Sequence, residues 1–165
     1  AAVLCRDKDS VPSGGRVTLA AVPKLPAEME SFFQFLDTEG IHYPFDKKRL
    51  LVQNGYVQYI PEGMPELKGL HIMRSGWFLG ELKKKRFEPS GAFARGLTPD
   101  VCDKVIAYPG DSEEVVRYLK CETLQVDPNL KNGWYLICVD EFALGWGKVS
   151  NGTLKNKYPS GWRLV

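Results

Sequence analysis

Few side chains in this sequence have the types and spacing that covalent chemistry requires. The two histidines, His42 and His71, are 29 residues apart, and neither lies in a motif with a serine or cysteine nucleophile. Residues 145–148 read GWGK, which superficially resembles a phosphate loop, but the spacing is wrong and no helical pattern follows. Glu81 and Glu88 flank a run of lysines, where salt bridges are a simpler role than acid–base catalysis. The sequence therefore predicts no catalysis by this chain.

The four cysteines indicate neither a metal site nor a disulfide framework. Cys5, Cys102, Cys121 and Cys138 are separated by 97, 19 and 17 residues, whereas zinc knuckles need gaps of about two to four. We expect reduced thiols in a cytoplasmic protein, with Cys138 in the core because it lies in the apolar run 134–139. No apolar run approaches the roughly 20 residues of a membrane span, so no membrane partner is expected.

Basic and aromatic residues are clustered in a way that suits a nucleic acid. The net charge is only +2, but residues 83–86 are four consecutive bases, and residues 142–165 contain four bases and no acid. Lysines neutralise phosphates, aromatic rings stack on unpaired bases, and amides bind base edges. We therefore expect RNA binding, with Trp146 in the core. The candidate RNA-binding residues are Lys83, Lys84, Lys85, Arg86, Lys148, Lys155, Asn156, Lys157, Tyr158, Trp162 and Arg163.

Short helices and strands must hold these residues in place. An apolar stripe of Met29, Phe32, Phe33 and Leu36 predicts a helix that Gly40 ends. Asn54-Gly55 predicts a hairpin between residues 49–53 and 56–60. Pro and Gly indicate a linker over residues 7–26. Further strands are predicted at 70–74, 77–82, 124–126, 133–139, 142–149 and near 154, and further helices at 91–97 and 112–120. Short strands at this spacing favour a small barrel, with an α+β fold class.

Several segments together carry a family resemblance. Residues 76–90 (GWFLGELKKKRFEPS) resemble the first C-terminal domain of RsmF-type rRNA methyltransferases, which make 5-methylcytosine. Residues 118–124 (YLKCETL), 133–140 (GWYLICVD), 144–148 (LGWGK) and 154–163 (LKNKYPSGWR) are similar to the PUA-like domain that follows. One departure is Cys121, where the family pattern Tyr-Leu-Arg-Gly-Glu has glycine; Lys120 likewise replaces arginine.

The resemblance implies a division of the chain into three parts. Residues 1–26 would be the end of the methyltransferase core strand plus a linker, with residues 1–4 in that strand. Residues 27–98 would be the first C-terminal domain, a small mixed α/β subdomain, and residues 99–165 would be a PUA-like β-barrel with short helices. The family's catalytic cysteines lie in Pro-Cys and Thr-Cys motifs of the core, and neither motif nor the S-adenosylmethionine loop occurs here.

The implied function is therefore that of a non-catalytic RNA-binding fragment, with no cofactor or metal of its own. It would hold rRNA, expected to be small-subunit rRNA, for its own N-terminal methyltransferase core, which would bind S-adenosylmethionine. Two alternatives stay open. The region is a docking module that packs on the core or on a ribosomal protein, which a large apolar patch on the helix at 28–36 would favour; or it is a stand-alone enzyme whose site is not evident.

Overall fold

The computed structural model describes residues 25–62, 76–84 and 86–165. The strands predicted at residues 1–4 and 70–74, most of the predicted linker, and Lys85 lie outside the described residues. None of the described helices is both long enough and apolar enough to cross a bilayer.

The first half of the chain packs one helix on a four-stranded antiparallel sheet. A 3₁₀ turn, Ala27–Met29, leads into helix α1, Glu30–Glu39. Strands β1 (Leu50–Gln53), β2 (Tyr56–Tyr59), β3 (Trp77–Lys83) and β4 (Arg86–Pro89) then form the sheet in the order β1-β2-β3-β4. Helix α2, Gly91–Arg95, follows directly, with the Ser90 hydroxyl accepting a hydrogen bond from the Phe93 N–H as its N-cap.

The second half forms a curled half-barrel. Its strands are β5 (Val105–Tyr108), β6 (Leu124–Gln125), β7 (Gly133–Val139), β8 (Phe142–Ser150) and β9 (Thr153–Asn156), in the spatial order β5-β7-β8-β9-β6. Strand β5 is parallel to β7, and the other pairs are antiparallel. Helix α3, Glu113–Leu119, connects β5 to β6, and a 3₁₀ turn, Ser160–Trp162, follows β9.

The second sheet separates two hydrophobic clusters, because successive side chains of a strand point to opposite faces. One face carries Trp134, Leu136, Cys138 and Trp146, which join α1, α2 and the first sheet in the larger cluster. The other face carries Tyr135, Ile137, Val149 and Leu154, which pack with Tyr118 of α3. The larger cluster therefore contains residues of both halves of the chain. The predicted burial of Trp146 and Cys138 is confirmed, at 2% and 0% exposure.

Strong local signals were predicted correctly. Gly40 ends α1 in the left-handed region at φ 66°, and Asn54 and Gly55 both have positive φ, 52° and 78°, as a type I′ hairpin requires. The predicted apolar stripe is confirmed for Met29, Phe32 and Leu36, but Phe35 takes the place predicted for Phe33. Phe35 is buried and Phe33 is only half-buried, because Phe35 points toward Trp134 and Trp146, with ring centroids 6.2 Å away in both cases.

Two short strands were not predicted. Strand β4 ends at Pro89, which reads locally as a breaker, and β5 is an edge strand whose residues pair with residues of β7 that lie 31 positions later in the chain. Pairing with β3 overrides the local signal of Pro89 in β4, whereas β5 (Val105–Tyr108) consists largely of strand-forming residues, a local signal that the sequence interpretation missed. Helix α2 also ends at Arg95, two residues before the predicted end at residue 97.

Candidate nucleic-acid interface

The basic run at the β3–β4 turn is partly neutralised by its own sheet. Lys83 Nζ lies 3.3 Å from Glu81 Oε2 and 3.1 Å from Glu88 Oε2, and Arg86 Nη2 lies 3.7 Å from the same Glu88 oxygen. The hydrogen bonds to Glu88 and Glu81 raise the pKa of Lys83. The same Lys83 bond, with help from Arg86 and Lys157, lowers the pKa of Glu88 against the effect of burial. The salt bridges expected of Glu81 and Glu88 are thus confirmed.

The second sheet carries a row of basic side chains beside an aromatic ring. Trp134 of β7 lies opposite Lys148 of β8, and Lys148 lies opposite Lys155 of β9, so these three residues share one sheet face. Lys157 follows two residues after Lys155. The ammonium groups of Lys148 and Lys157 lie 5.8 and 5.6 Å from the centre of the Trp134 ring, within cation–π range.

Trp134, Lys148 and Lys157 line a cleft of about 300 Å³ between the two halves of the chain. One wall is helix α1, the second is strand β4, and the floor is the face of the second sheet at β7 and β8. Arg86 from the β3–β4 turn therefore lies in the same cleft as Lys148 and Lys157. The lining residues are Ser31, Gln34, Phe35, Thr38, Glu39, Arg86, Phe87, Glu88, Trp134, Lys148 and Lys157.

A buried carboxylate fixes one end of this cleft. Glu39, the last residue of α1, is 9% exposed, and its Oε2 accepts hydrogen bonds from Lys104 Nζ at 2.8 Å and from the Trp134 N–H at 3.0 Å. Lys104 Nζ also donates to the Thr38 carbonyl at 3.2 Å. Because these partners satisfy the carboxylate, its burial is tolerated. The contact holds the start of β7 against the end of α1.

The C-terminal aromatics form a second cluster. Trp162 is 59% exposed, and the Arg95 guanidinium lies 4.5 Å from the centre of its ring. Tyr158 is half-buried between Tyr118 and Trp162, with ring centroids 5.6 and 6.4 Å away. Lys157 lines the cleft, whereas the next residue, Tyr158, packs on Tyr118. The two side chains therefore lie on opposite sides of the second sheet.

The remaining candidates have different surroundings. Lys84, Lys155 and Arg163 are exposed. Asn156 is turned inward: its amide nitrogen donates to the carbonyls of Tyr118 at 2.7 Å and Glu122 at 3.1 Å, and its Oδ1 accepts from the Tyr158 N–H at 2.8 Å. Its amide therefore ties the closing segment to the end of α3.

Sequence reasoning assigned Trp134 only to a buried strand. The signal that would have identified it is the hairpin register. A two-residue turn at Asp140-Glu141 with one bulge sets Trp134 opposite Lys148, and the Asn151-Gly152 turn sets Lys148 opposite Lys155. No comparable sequence pattern predicts that Gln34 and Thr38 line the cleft, because α1 packs on the second sheet through contacts between residues far apart in the chain.

Other chemistry finds little support among the described residues. No group of three or more metal-ligating side chains occurs in the described ranges. Burial raises the pKa of Cys102 to about 12 and that of Cys138 to about 11, so both thiols stay protonated and unreactive at neutral pH. Residues 145–147 of the GWGK segment are buried inside strand β8, where a side chain at Gly147 would collide with Leu154. This segment therefore does not fit a phosphate loop.

Comparison with protein families matches both halves of the chain. Residues 32–97 match the RsmF rRNA methyltransferase first C-terminal domain. Residues 106–164 match the methyltransferase RsmF PUA domain. The two matches are collinear and together cover about three quarters of the sequence. No curated protein matches the chain significantly.

Proposed function

The chain belongs to the RsmF family of rRNA methyltransferases, whose first C-terminal domain and PUA domain it carries, and from this we propose that it holds rRNA through the cleft between those two domains. The held strand would be small-subunit rRNA, presented in the cytoplasm to a methyltransferase core of the same protein. That core would bind S-adenosylmethionine and extrude one cytosine into its active site, as base-modifying enzymes do. The chain itself would be non-catalytic.

One observation carries this proposal: cations from both domains line one cleft that also contains an aromatic ring. Arg86 comes from the first domain, and Lys148 and Lys157 come from the PUA domain, and all three line the cleft that contains Trp134. Lys155 extends the row on the exposed sheet face. Cations along a groove with an aromatic platform are the arrangement that single-stranded RNA requires. Because the RNA contacts come from two domains, RNA affinity also depends on how those domains are placed relative to each other.

The candidate residues contribute unequally to the proposed RNA binding. Lys148, Lys155 and Lys157 are the principal phosphate contacts, together with Arg86. Lys83 contributes less because two carboxylates hold it, while Lys84 and Arg163 are exposed and contribute from the rim. Lys85 is retained from its sequence position alone. Trp162 offers an exposed ring for stacking, whereas Tyr158 supports it from beneath.

The docking alternative lacks the surface that was expected to favour it. The apolar stripe of α1, formed by Phe32, Phe35 and Leu36 after Met29, is buried in the chain's own core, at 0%, 8%, 8% and 2% exposure. The described part of this helix therefore presents acids and polar side chains to solvent. RNA binding remains the function that the arrangement of charged groups supports best.

The decisive experiment measures affinity for single-stranded small-subunit rRNA fragments by fluorescence anisotropy at about 50 and 200 mM salt. About four phosphate contacts predict that wild-type affinity falls by about 50-fold over this range. Replacing Lys148, Lys155 and Lys157 with alanine leaves about one contact, and the fall shrinks to about threefold.

The matched control replaces Lys47, Lys48 and Lys131 with alanine, which removes the same charge from exposed positions that do not line the cleft. Its salt dependence should equal that of the wild type. If both triple variants lose affinity equally, the binding is a general charge effect, and the cleft is not the site. Undetectable binding by the wild type would instead favour a docking role.

A further inference from the structure

The cleft has a feature that phosphate contacts do not explain. The Trp134 ring and the polar side chains of Gln34 and Thr38 line the same small volume. Trp134 is half-buried at the floor, edge-to-face with Phe35 and Trp146 at centroid distances of 6.2 and 6.4 Å. These neighbours lock the ring in place. Gln34 and Thr38 of α1 are exposed at the rim of the same cleft, and their side chains can both donate and accept hydrogen bonds.

The volume of the cleft limits which ligand can bind in it. A volume of about 300 Å³ is at the small end of ligand pockets. It suits one nucleotide and cannot admit a paired helix. The ring supplies a stacking surface, the cations supply phosphate contacts, and the α1 wall supplies partners for a base edge.

We propose that this cleft is a pocket for a single unpaired nucleotide of the bound RNA, whose base stacks on Trp134 while Lys148, Lys157 and Arg86 hold its phosphates. This inference rests on the proposed RNA-binding function and adds to it a base-accepting site at the domain junction. In the free protein the two lysine ammonium groups occupy the space near the ring. The arriving base takes their place, and they turn to the phosphates.

Glu39 acts as a positioning residue for this pocket. Its carboxylate lies at one end of the cleft, where Oε2 accepts hydrogen bonds from the Trp134 backbone N–H at 3.0 Å and from Lys104 Nζ at 2.8 Å. Through this contact, a base stacked on Trp134 would be connected to helix α1 of the first domain. The pocket forms only when the two domains are packed together.

The test compares Trp134→Phe and Trp134→Leu in the full 165-residue chain, with circular dichroism to verify folding. The probes are a single-stranded RNA containing one 2-aminopurine and a fully paired duplex of the same sequence. Loss of a stacked base lowers affinity by about 5- to 150-fold. We expect that loss for Trp134→Leu on the single strand only, with an unchanged salt slope, since no phosphate contact is removed. Trp134→Phe should keep most of the affinity and the quenching of 2-aminopurine.

A second variant tests the pocket without altering its floor. Gln34→Trp places a large side chain at the rim from an exposed helix position, and Gln53→Trp, at the exposed last residue of β1, is the matched control. Blocking the pocket should abolish 2-aminopurine quenching, and the control should not. If Trp134→Leu and Gln34→Trp bind the single strand as the wild type does, while the lysine triple variant still loses salt-dependent affinity, the pocket is wrong and the RNA-binding function stands. If no variant and no wild-type protein binds RNA, the proposed function itself fails.

Discussion

The Glu39 carboxylate accepts a hydrogen bond from the backbone N–H of Trp134, 95 residues later in the chain, at 3.0 Å. Glu39 lies in the segment that matches the first C-terminal domain, and Trp134 lies in the segment that matches the PUA domain. The bond is partly buried and is completed by Lys104 at 2.8 Å. It therefore connects the two domains at the point where the candidate RNA cleft begins.

Removal of this carboxylate should destabilise the whole chain. Glu39→Ala leaves the half-buried Lys104 ammonium without its counter-ion and the Trp134 N–H without its acceptor, and breaking such a pair costs about 3–5 kcal/mol. Glu39→Gln keeps the shape and one acceptor, so a smaller loss of about 1–3 kcal/mol is expected. Urea unfolding measures both. Asp37→Ala, an exposed acid in the same helix, should change the free energy of unfolding by less than about 0.5 kcal/mol; an equal effect would contradict the role given to Glu39.

Cys121 should be replaceable by glycine with a gain in stability. It adopts the left-handed region at φ 59°, where an L side chain is strained and glycine is not. Its thiol makes only a long contact of 3.8 Å with the Tyr158 carbonyl. We expect Cys121→Gly to raise the free energy of unfolding by about 0.5–1 kcal/mol, measured in urea. Cys121→Ala keeps the strained backbone and serves as control, since it should give no gain.

The same position illustrates what a sequence can and cannot predict. The Cys121 departure from the family pattern marks a turn that the structure contains, and the Asn54-Gly55 turn and the Gly40 helix end were likewise predicted from local chemistry alone. Each depends on one or two residues whose backbone preference outweighs the rest of the chain. Strands β7 and β8 were predicted for a different reason, since each is a long run that contains several apolar and strand-forming residues.

The cleft could not be predicted in this way. Its floor, its helical wall and its cations come from residues 31–39, 86–88, 134 and 148–157, which meet only through the packing of α1 on the second sheet. The basic residues were found because charge is visible in a sequence. The neutralisation of Lys83 by Glu81 and Glu88 was expected as a salt bridge, but its consequence for RNA binding depends on which lysines the fold leaves without carboxylates. Trp134 was overlooked because a half-buried ring in an apolar strand reads as core.

The lysines should contribute unequally to RNA affinity. Lys83→Gln removes a cation already shared by two carboxylates, whereas Lys148→Gln removes one that lies beside Trp134. We expect Lys148→Gln to reduce the salt slope by about 0.7, the value for one phosphate of a single strand, and Lys83→Gln to reduce it by clearly less. Glu88→Gln removes the carboxylate shared by Arg86 and Lys83, leaves Lys83 paired with Glu81 alone, and should raise affinity severalfold. Anisotropy titrations at several salt concentrations measure all three, and a larger effect of Lys83→Gln than of Lys148→Gln would assign the main contact to the β3–β4 turn.

Trp162 and Tyr158 should separate RNA affinity from stability. Trp162 is mostly exposed and is held chiefly by the Arg95 guanidinium, a contact that contributes about 0.5–1 kcal/mol at such sites. Trp162→Ala should therefore leave the thermal midpoint nearly unchanged while lowering affinity for single-stranded RNA by about fivefold or more, as the loss of a stacked base does. Tyr158 packs on the buried Tyr118 ring, so Tyr158→Ala should lower the free energy of unfolding by about 1–3 kcal/mol. Tyr158→Phe keeps that packing and should behave as the wild type in both assays. Wild-type RNA affinity in Trp162→Ala would remove this ring from the interface and leave the cleft around Trp134 as the stacking site.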